Sequence, residues 1–301
     1  MTFLIVLQAL FATSFPFGKY LLKFASPLFV SGARMLIAGS LLLLYQYFLP
    51  QGEIKLKKEH LLIFLQIIVL GMFLTYGLRL YALGVLPVWK TSFFYNLSPF
   101  LSALYAYLLF GEKLSRKQWI GLAIGLVGMM PILISKSPAE AALHEIFDIS
   151  LYELCLILSV SLHCYSWILI QKLVKHKNYQ PAMVNGIAMA CGGLLSLIVS
   201  YAQEGTVSIS SPYAFAAGLM GTIFIGNIVC HNLYASLLKT YSATFMSFTS
   251  FLGPLFAALY GWAFFNEHIS WHFYVSAVVV FIGLYLFYQD ELRRLRIEKM
   301  T

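Results

Sequence analysis

Apolar stretches of about twenty residues, separated by short polar segments, run the whole length of the chain. A hydrocarbon layer about 30 Å thick takes roughly 20 residues of helix to cross. That ruler places spans at 2–22, 27–49, 61–83, 87–110 and 116–134. A polar segment from Ser135 to Ser150 interrupts the pattern, and five more spans follow at 151–174, 181–202, 212–236, 240–265 and 270–289. The expected fold class is an all-α integral membrane protein with ten transmembrane helices. No polar stretch is long enough for a soluble domain, and the first residues, Met1 to Leu7, lack the basic region of a cleavable leader.

Composition supports this solvent. Of 301 residues 60% are hydrophobic and 11% are charged, whereas soluble domains carry roughly a quarter charged residues. The net charge of +8 would suit a nucleic-acid partner only if it formed a patch. It forms short clusters between apolar runs instead, so no nucleic acid is expected. Lys55, Lys57, Lys58, Lys113, Arg116, Lys117, Lys172, Lys175, Lys177, Lys239, Arg293, Arg294, Arg296 and Lys299 all fall on the side of the N-terminus, 14 of the 20 Lys and Arg. Basic loops stay cytoplasmic, so both termini are expected in the cytoplasm of a bacterial-type inner membrane. The four cysteines lie singly in apolar runs, which suits packing and implies neither disulfides nor a metal site.

The two halves repeat. Tyr81-Ala82 is echoed by Tyr234-Ala235, Ser98-Pro99-Phe100 by Gly253-Pro254-Leu255, and Phe110-Gly111-Glu112 by Phe265-Asn266-Glu267. Pro27, Gly32, Met35 and Gly39 match Pro181, Gly186, Met189 and Gly193. A unit of five spans re-enters the membrane upside down. Inverted repeats are the architecture of secondary transporters, because two near-equivalent halves give two near-isoenergetic states. The expected units are 1–135, an inverted copy at 151–289, and a basic tail at 290–301.

These motifs, with the Pro-to-Glu spacing shared by Pro99/Glu112 and Pro254/Glu267, resemble the EamA repeat of the drug/metabolite transporter superfamily. Ala33-Arg34-Met35 also resembles the family's arginine in the second span. The resemblance implies a ten-helix carrier with a central cavity lined by both halves, and leaves the substrate open. Within that family, exchange of S-adenosylmethionine for S-adenosylhomocysteine is the concrete candidate. Export of aromatic or other amino acids, or of another metabolite and possibly proton-coupled, is the alternative.

Candidate site residues follow from the cost of charge in hydrocarbon, which makes an intramembrane ion a functional candidate. Arg79 and its pseudo-equivalent Asn232, together with Arg34, are expected to hold an anionic group, since guanidinium binds carboxylate in a bidentate fork. Structural roles are the competing reading for both arginines. Phe93, Phe94, Tyr95 and Asn96 of the fourth span, with Trp167 and Tyr234, are the candidate lining for a flat or cationic body. Pro99, Pro254, Glu112 and Glu267 read as gating or structural positions. His163 and His231 read as neutral, hydrogen-bonded packing histidines. The pair Gly121 and Gly125 reads as close helix packing. None of the twelve Asp and Glu falls mid-span, which favours exchange or facilitated movement over proton pumping.

No catalytic constellation of paired intramembrane acids, metal ligands or a Ser/Lys dyad is evident, so an enzyme is not expected, and neither is a cofactor or a metal. Glu267, His268 and His272 lack a fourth ligand for one. The expected partners are a small-molecule substrate and the lipid bilayer, with the protein a monomer or homodimer.

Overall fold

The computed structural model describes residues 2–48, 56–86, 91, 94–134, 151–205, 209–253, 255–256, 259–260 and 271–300. Every regular element among them is a helix. In chain order these are α1 (Phe3–Leu21), α2 (Pro27–Phe48), α3 (Lys58–Val85), α4 (Ser98–Phe110) and α5 (Arg116–Ile134). They are followed by α6 (Leu151–His176), α7 (Pro181–Glu204), α8 (Pro212–Leu237), α9 (Ala243–Phe248) and α10 (Trp271–Met300). Six of these, α1, α2, α3, α6, α7 and α8, are long and apolar enough to cross a membrane. Large apolar side chains such as Leu44, Phe48, Leu62, Leu108, Trp271 and Phe281 stand exposed on their outer faces. In water such a surface would aggregate; in hydrocarbon it costs nothing.

Helix ends follow the local sequence. Pro27, Pro181 and Pro212 each open a helix, where a missing N–H is no loss and the fixed φ suits a first turn. Pro99 does the same for α4 after a short 3-10 turn at Tyr95–Leu97, so the described helix of the fourth span begins within the stretch read as 87–110. At the other end Gly111, at φ 68°, leaves the helix in the left-handed region and donates to the Tyr107 carbonyl at 2.8 Å. That cap explains the Phe110-Gly111-Glu112 motif: glycine is the residue that takes this conformation without strain. The tenth helix runs past 289 to Met300.

Two seams bind the halves. Helix α2 lies on α7, with Gly32 against the Gly193 carbonyl and Gly39 against that of Gly186. A Cβ on Gly39 would stand 2.3 Å from the Ala190 nitrogen, and one on Gly193 2.4 Å from that of Leu36. Helix α5 meets α10 in the same way, Gly121 and Gly283 each facing the other's carbonyl. Small residues admit this backbone contact, on which dispersion between membrane helices depends. The matched Gly32, Gly39, Gly186 and Gly193 thus meet crosswise, in the antiparallel register that inverted copies require.

Polar contacts close the end of the bundle that carries the basic loops. His60 Nδ1 lies 2.9 Å from the Tyr179 hydroxyl, and the Lys57 amide donates to that hydroxyl at 3.2 Å. The Ser115 hydroxyl donates to Asp290 at 2.6 Å, and the Ser242 amide to Glu291 at 2.7 Å. At the opposite end the Lys19 ammonium caps α3, donating to the carbonyls of Leu83, Gly84 and Leu86 at 2.5, 3.1 and 3.1 Å. A cation suits the negative end of a helix.

Candidate functional site

Between the halves lies a partly open cavity with about 100 Å³ of room for the centres of water-sized molecules. Helix α1 contributes Gln8, Phe11, Ser14 and Phe15; α2 contributes Arg34; α3 contributes Tyr76 and Arg79. Tyr95 and Ser98 come from the start of α4, His163 and Trp167 from α6, Asn227, His231 and Tyr234 from α8, and Ser247 and Ser250 from α9 and the turn after it. The α3 and α8 segments are locally widened: residues Ile67–Leu74 and Thr222–Cys230 form π-helix. Each widened segment ends just before a cavity residue, Tyr76 in one and His231 in the other. Such π segments are frequent at functional sites because they re-aim the side chains that follow.

Arg34 and Arg79 are 3% and 7% exposed, and no acidic side chain lines the cavity among the described residues. The Nε of each guanidinium finds no hydrogen-bond partner there. What faces them is aromatic: the Tyr76 ring centroid lies 4.9 Å from Arg34 Cζ and 4.6 Å from Arg79 Cζ, and Phe15 lies 5.7 Å from Arg79. A desolvated cation–π contact contributes about 2 kcal/mol, far less than hydration of a guanidinium supplies. Among the described residues no carboxylate on the cavity offsets the pair.

The aromatic contacts close into a circuit around the cavity. Phe15 meets Tyr95 edge-on at 5.6 Å, Tyr95 meets His163 at 5.5 Å, and His163 meets Trp167 at 5.9 Å. Trp167 meets His231 at 5.5 Å and His231 meets Tyr76 at 5.8 Å, which returns to Arg79. Tyr234 lies 4.1 Å from Trp167, and Phe11 lies 6.1 Å from Tyr234. Aromatic walls accept a flat ring or a soft cation on their faces.

Hydrogen bonds settle the tautomers of both histidines. His231 Nδ1 lies 2.7 Å from the Gly226 carbonyl, which can only accept. The proton is therefore on Nδ1, and Nε2 accepts from the Tyr76 hydroxyl. The Trp167 indole donates to His163 Nε2 at 3.0 Å, which leaves the other ring nitrogen as the protonated one in a neutral ring. Below the aromatic circuit runs a hydroxyl ladder between α4 and α9. Ser102 and Ser247 are 2.6 Å apart, and Ser250 donates to the Ser247 carbonyl at 2.6 Å while lying 3.1 Å from Ser98.

The structure thus brings Arg79, Arg34, Tyr95, Trp167 and Tyr234 together on one cavity. It places Asn232 outside the lining, donating to the Ile228 carbonyl at 2.8 Å and accepting from Asn185 at 3.2 Å. Its helix turns that side chain toward Asn185 of α7. Phe94 packs with Ala82, Leu86 and Leu156, and Asn96 is buried outside the lining. Glu112 is half-buried beyond the cap of α4, and Pro99 is buried in the first turn of that helix. Phe93, Pro254 and Glu267 lie outside the described residues, as does His268.

Sequence reasoning missed Tyr76, Gln8, Phe11, Phe15, Ser247 and Ser250. Tyr76 carried a signal: it stands three residues before Arg79, on the same face of a helix. Gln8 carried another, as the only amide in the first span.

Comparison with known proteins adds a second line. The EamA-like transporter family model matches residues 1–134 and again 150–289. An S-adenosylmethionine/S-adenosylhomocysteine transporter of Chlamydia trachomatis serovar L2 is 31% identical over 297 residues, 97% of this chain and 90% of the relative. That of Chlamydia muridarum is 31% identical over 296 residues, 97% and 92% of the two chains. A WAT1-related chloroplastic protein of Arabidopsis thaliana is 25% identical over 276 residues, 89% of this chain and 64% of its own length. One solved crystal structure, 13% identical, superposes with a TM-score of 0.74 over 96% of each chain, which is a likeness of fold.

Proposed function

We propose, from the premise that this chain belongs to the EamA-like transporter family, that it exchanges S-adenosylmethionine for S-adenosylhomocysteine. It does so by alternating access of two inverted halves, 1–135 and 151–289, in a bacterial-type inner membrane, with both termini and the 290–301 tail in the cytoplasm. The carrying observation is the pair of buried guanidiniums, with no acidic side chain among the described residues of the cavity, beside an aromatic circuit.

Both substrates have an amino-acid end and an adenine ring. The α-carboxylate suits Arg34 and Arg79, because a bidentate charge-assisted pair is the strongest hydrogen-bonded contact available to a carboxylate. The adenine ring suits the faces of Trp167, Tyr234 and Phe11. The two substrates differ by one methyl group and the sulfonium charge. With no carboxylate among the described lining residues, aromatic faces are what meets that charge, so the two affinities stay close. Exchange requires this, since a site that held one substrate far more tightly would not release it to the other. With both histidine Nε2 atoms engaged as acceptors, the resting cavity needs no proton on either ring.

The test is counterflow in proteoliposomes with no pH gradient. Preloading with S-adenosylhomocysteine is expected to drive uptake of labelled S-adenosylmethionine. Uptake that begins only when a pH gradient is imposed would establish proton coupling instead. Counterflow with free amino acids and none with adenosyl compounds would make the protein an amino-acid carrier.

A further inference from the structure

The structure assigns Tyr76 as the positioning residue of the anion subsite: its ring holds both guanidiniums, and its hydroxyl is taken out of the ligand's reach by His231. This rests on the reading of Arg34 and Arg79 as the carboxylate site. Two like charges share one water-poor cavity and repel each other, and no acidic side chain on the described lining offsets them. The group common to both is Tyr76, with its centroid 4.9 Å from one Cζ and 4.6 Å from the other.

The hydroxyl is committed elsewhere. The Gly226 carbonyl fixes the proton on His231 Nδ1 at 2.7 Å, so Nε2 offers a lone pair and the Tyr76 O–H donates to it. A donating phenol is richer in electron density on its ring, which strengthens the attraction for cations on its face. The same bond ties α3 of one half to α8 of the other across 155 residues of sequence. Each partner follows a π-helical segment, Ile67–Leu74 or Thr222–Cys230, that sets the direction of its side chain. Tyr76 therefore acts on the ligand through Arg34 and Arg79 and makes no bond to it.

The test compares binding of S-adenosylhomocysteine and its decarboxylated analogue to the purified full-length protein by isothermal titration. The wild type is expected to prefer the carboxylate-bearing compound on the order of tenfold or more, the yield of one charge-assisted pair. Tyr76→Leu is expected to bring that ratio toward one by weakening the carboxylate compound while leaving the analogue within about twofold. Tyr76→Phe, which keeps the ring, is expected to keep most of the ratio. If Tyr76→Leu is not recovered folded, Tyr76→Met fills the space without a π face and is read in the same way. An equal loss for both compounds would show that Tyr76 is packing alone, and the assignment would fall. A wild-type ratio near one would sink the carboxylate reading of the arginines, whatever the Tyr76 variants do.

Discussion

Helices α2 and α7 meet backbone to backbone, whereas the cavity, to which α2 contributes Arg34, meets side chain to side chain. Both are contacts between the two halves. At the glycine seam, Gly39 and Gly193 leave no atom that could rotate out of the way. Around the cavity, rings lie 4.1 to 6.1 Å apart at varied angles, and serine hydroxyls can change partners with a small rotation. The seam is thus suited to stay fixed and the cavity wall to rearrange. A carrier needs both, since alternating access moves parts of the halves around a site without dissolving their contact.

The strongest way to break this contrast is at the seam. Gly39→Leu is expected to abolish folded protein, because its Cβ would stand 2.3 Å from a backbone nitrogen and overpacking against backbone cannot relax by a rotamer change. Loss of a monodisperse peak on size exclusion in detergent checks it. A well-folded Gly39→Leu protein would show that α2 and α7 can separate, and the contrast would be wrong.

Next come the guanidiniums. Arg79→Ala and Arg34→Ala are each expected to lower affinity for the carboxylate-bearing substrate on the order of tenfold. The ligand-free Tm is expected to stay or rise, because each removes a buried charge that lacks a described acidic partner. Titration calorimetry and thermal unfolding read the two effects separately. A fall in ligand-free Tm for Arg34→Ala alone would return that residue to a structural role. Arg79→Lys is not expected to rescue, since an ammonium cannot form the planar fork.

Comparable effects sharpen the picture of the wall. Trp167→Leu is expected to weaken adenosyl ligands by about 1–3 kcal/mol, the range for a base stacked on an aromatic side chain, with little change for free amino acids. Smallest of all, a double-mutant cycle on Ser102→Ala and Ser247→Ala is expected to give a coupling near 0.6 kcal/mol, typical of hydrogen bonds between membrane helices. A coupling several times larger would mark the hydroxyl ladder as part of the rigid seam.

The apolar solvent and the all-helical class were legible along the chain, because each depends on neighbours within a turn or two. Runs of apolar residues mark the long helices, and Gly121 was legible as a point of close helix packing, which it makes against Gly283. Arg34 and Arg79 were legible as costly charges in hydrocarbon, and Trp167 and Tyr234 as aromatics near the repeat motifs. Asn232 shows the limit of that method. It stands in the repeat position of Arg79, yet it bonds to Ile228 and Asn185 and leaves the lining to His231.

Which polar side chains share the cavity was decided only by the tertiary structure. Two arginines on different helices converge on Tyr76, and Tyr76 reaches His231 in the other half, because packing around an inverted repeat joins positions no local pattern relates. The π-helical segments before those residues shift the facing by a fraction of a turn, and that offset carries no sequence signature. The sequence by itself determined the solvent, the helices and the doubled plan, since hydrophobicity and chain stiffness act locally. The arginine pair around Tyr76, the aromatic circuit and the tautomers of the histidines arise from contacts between distant segments, and those exist only once the helices have packed.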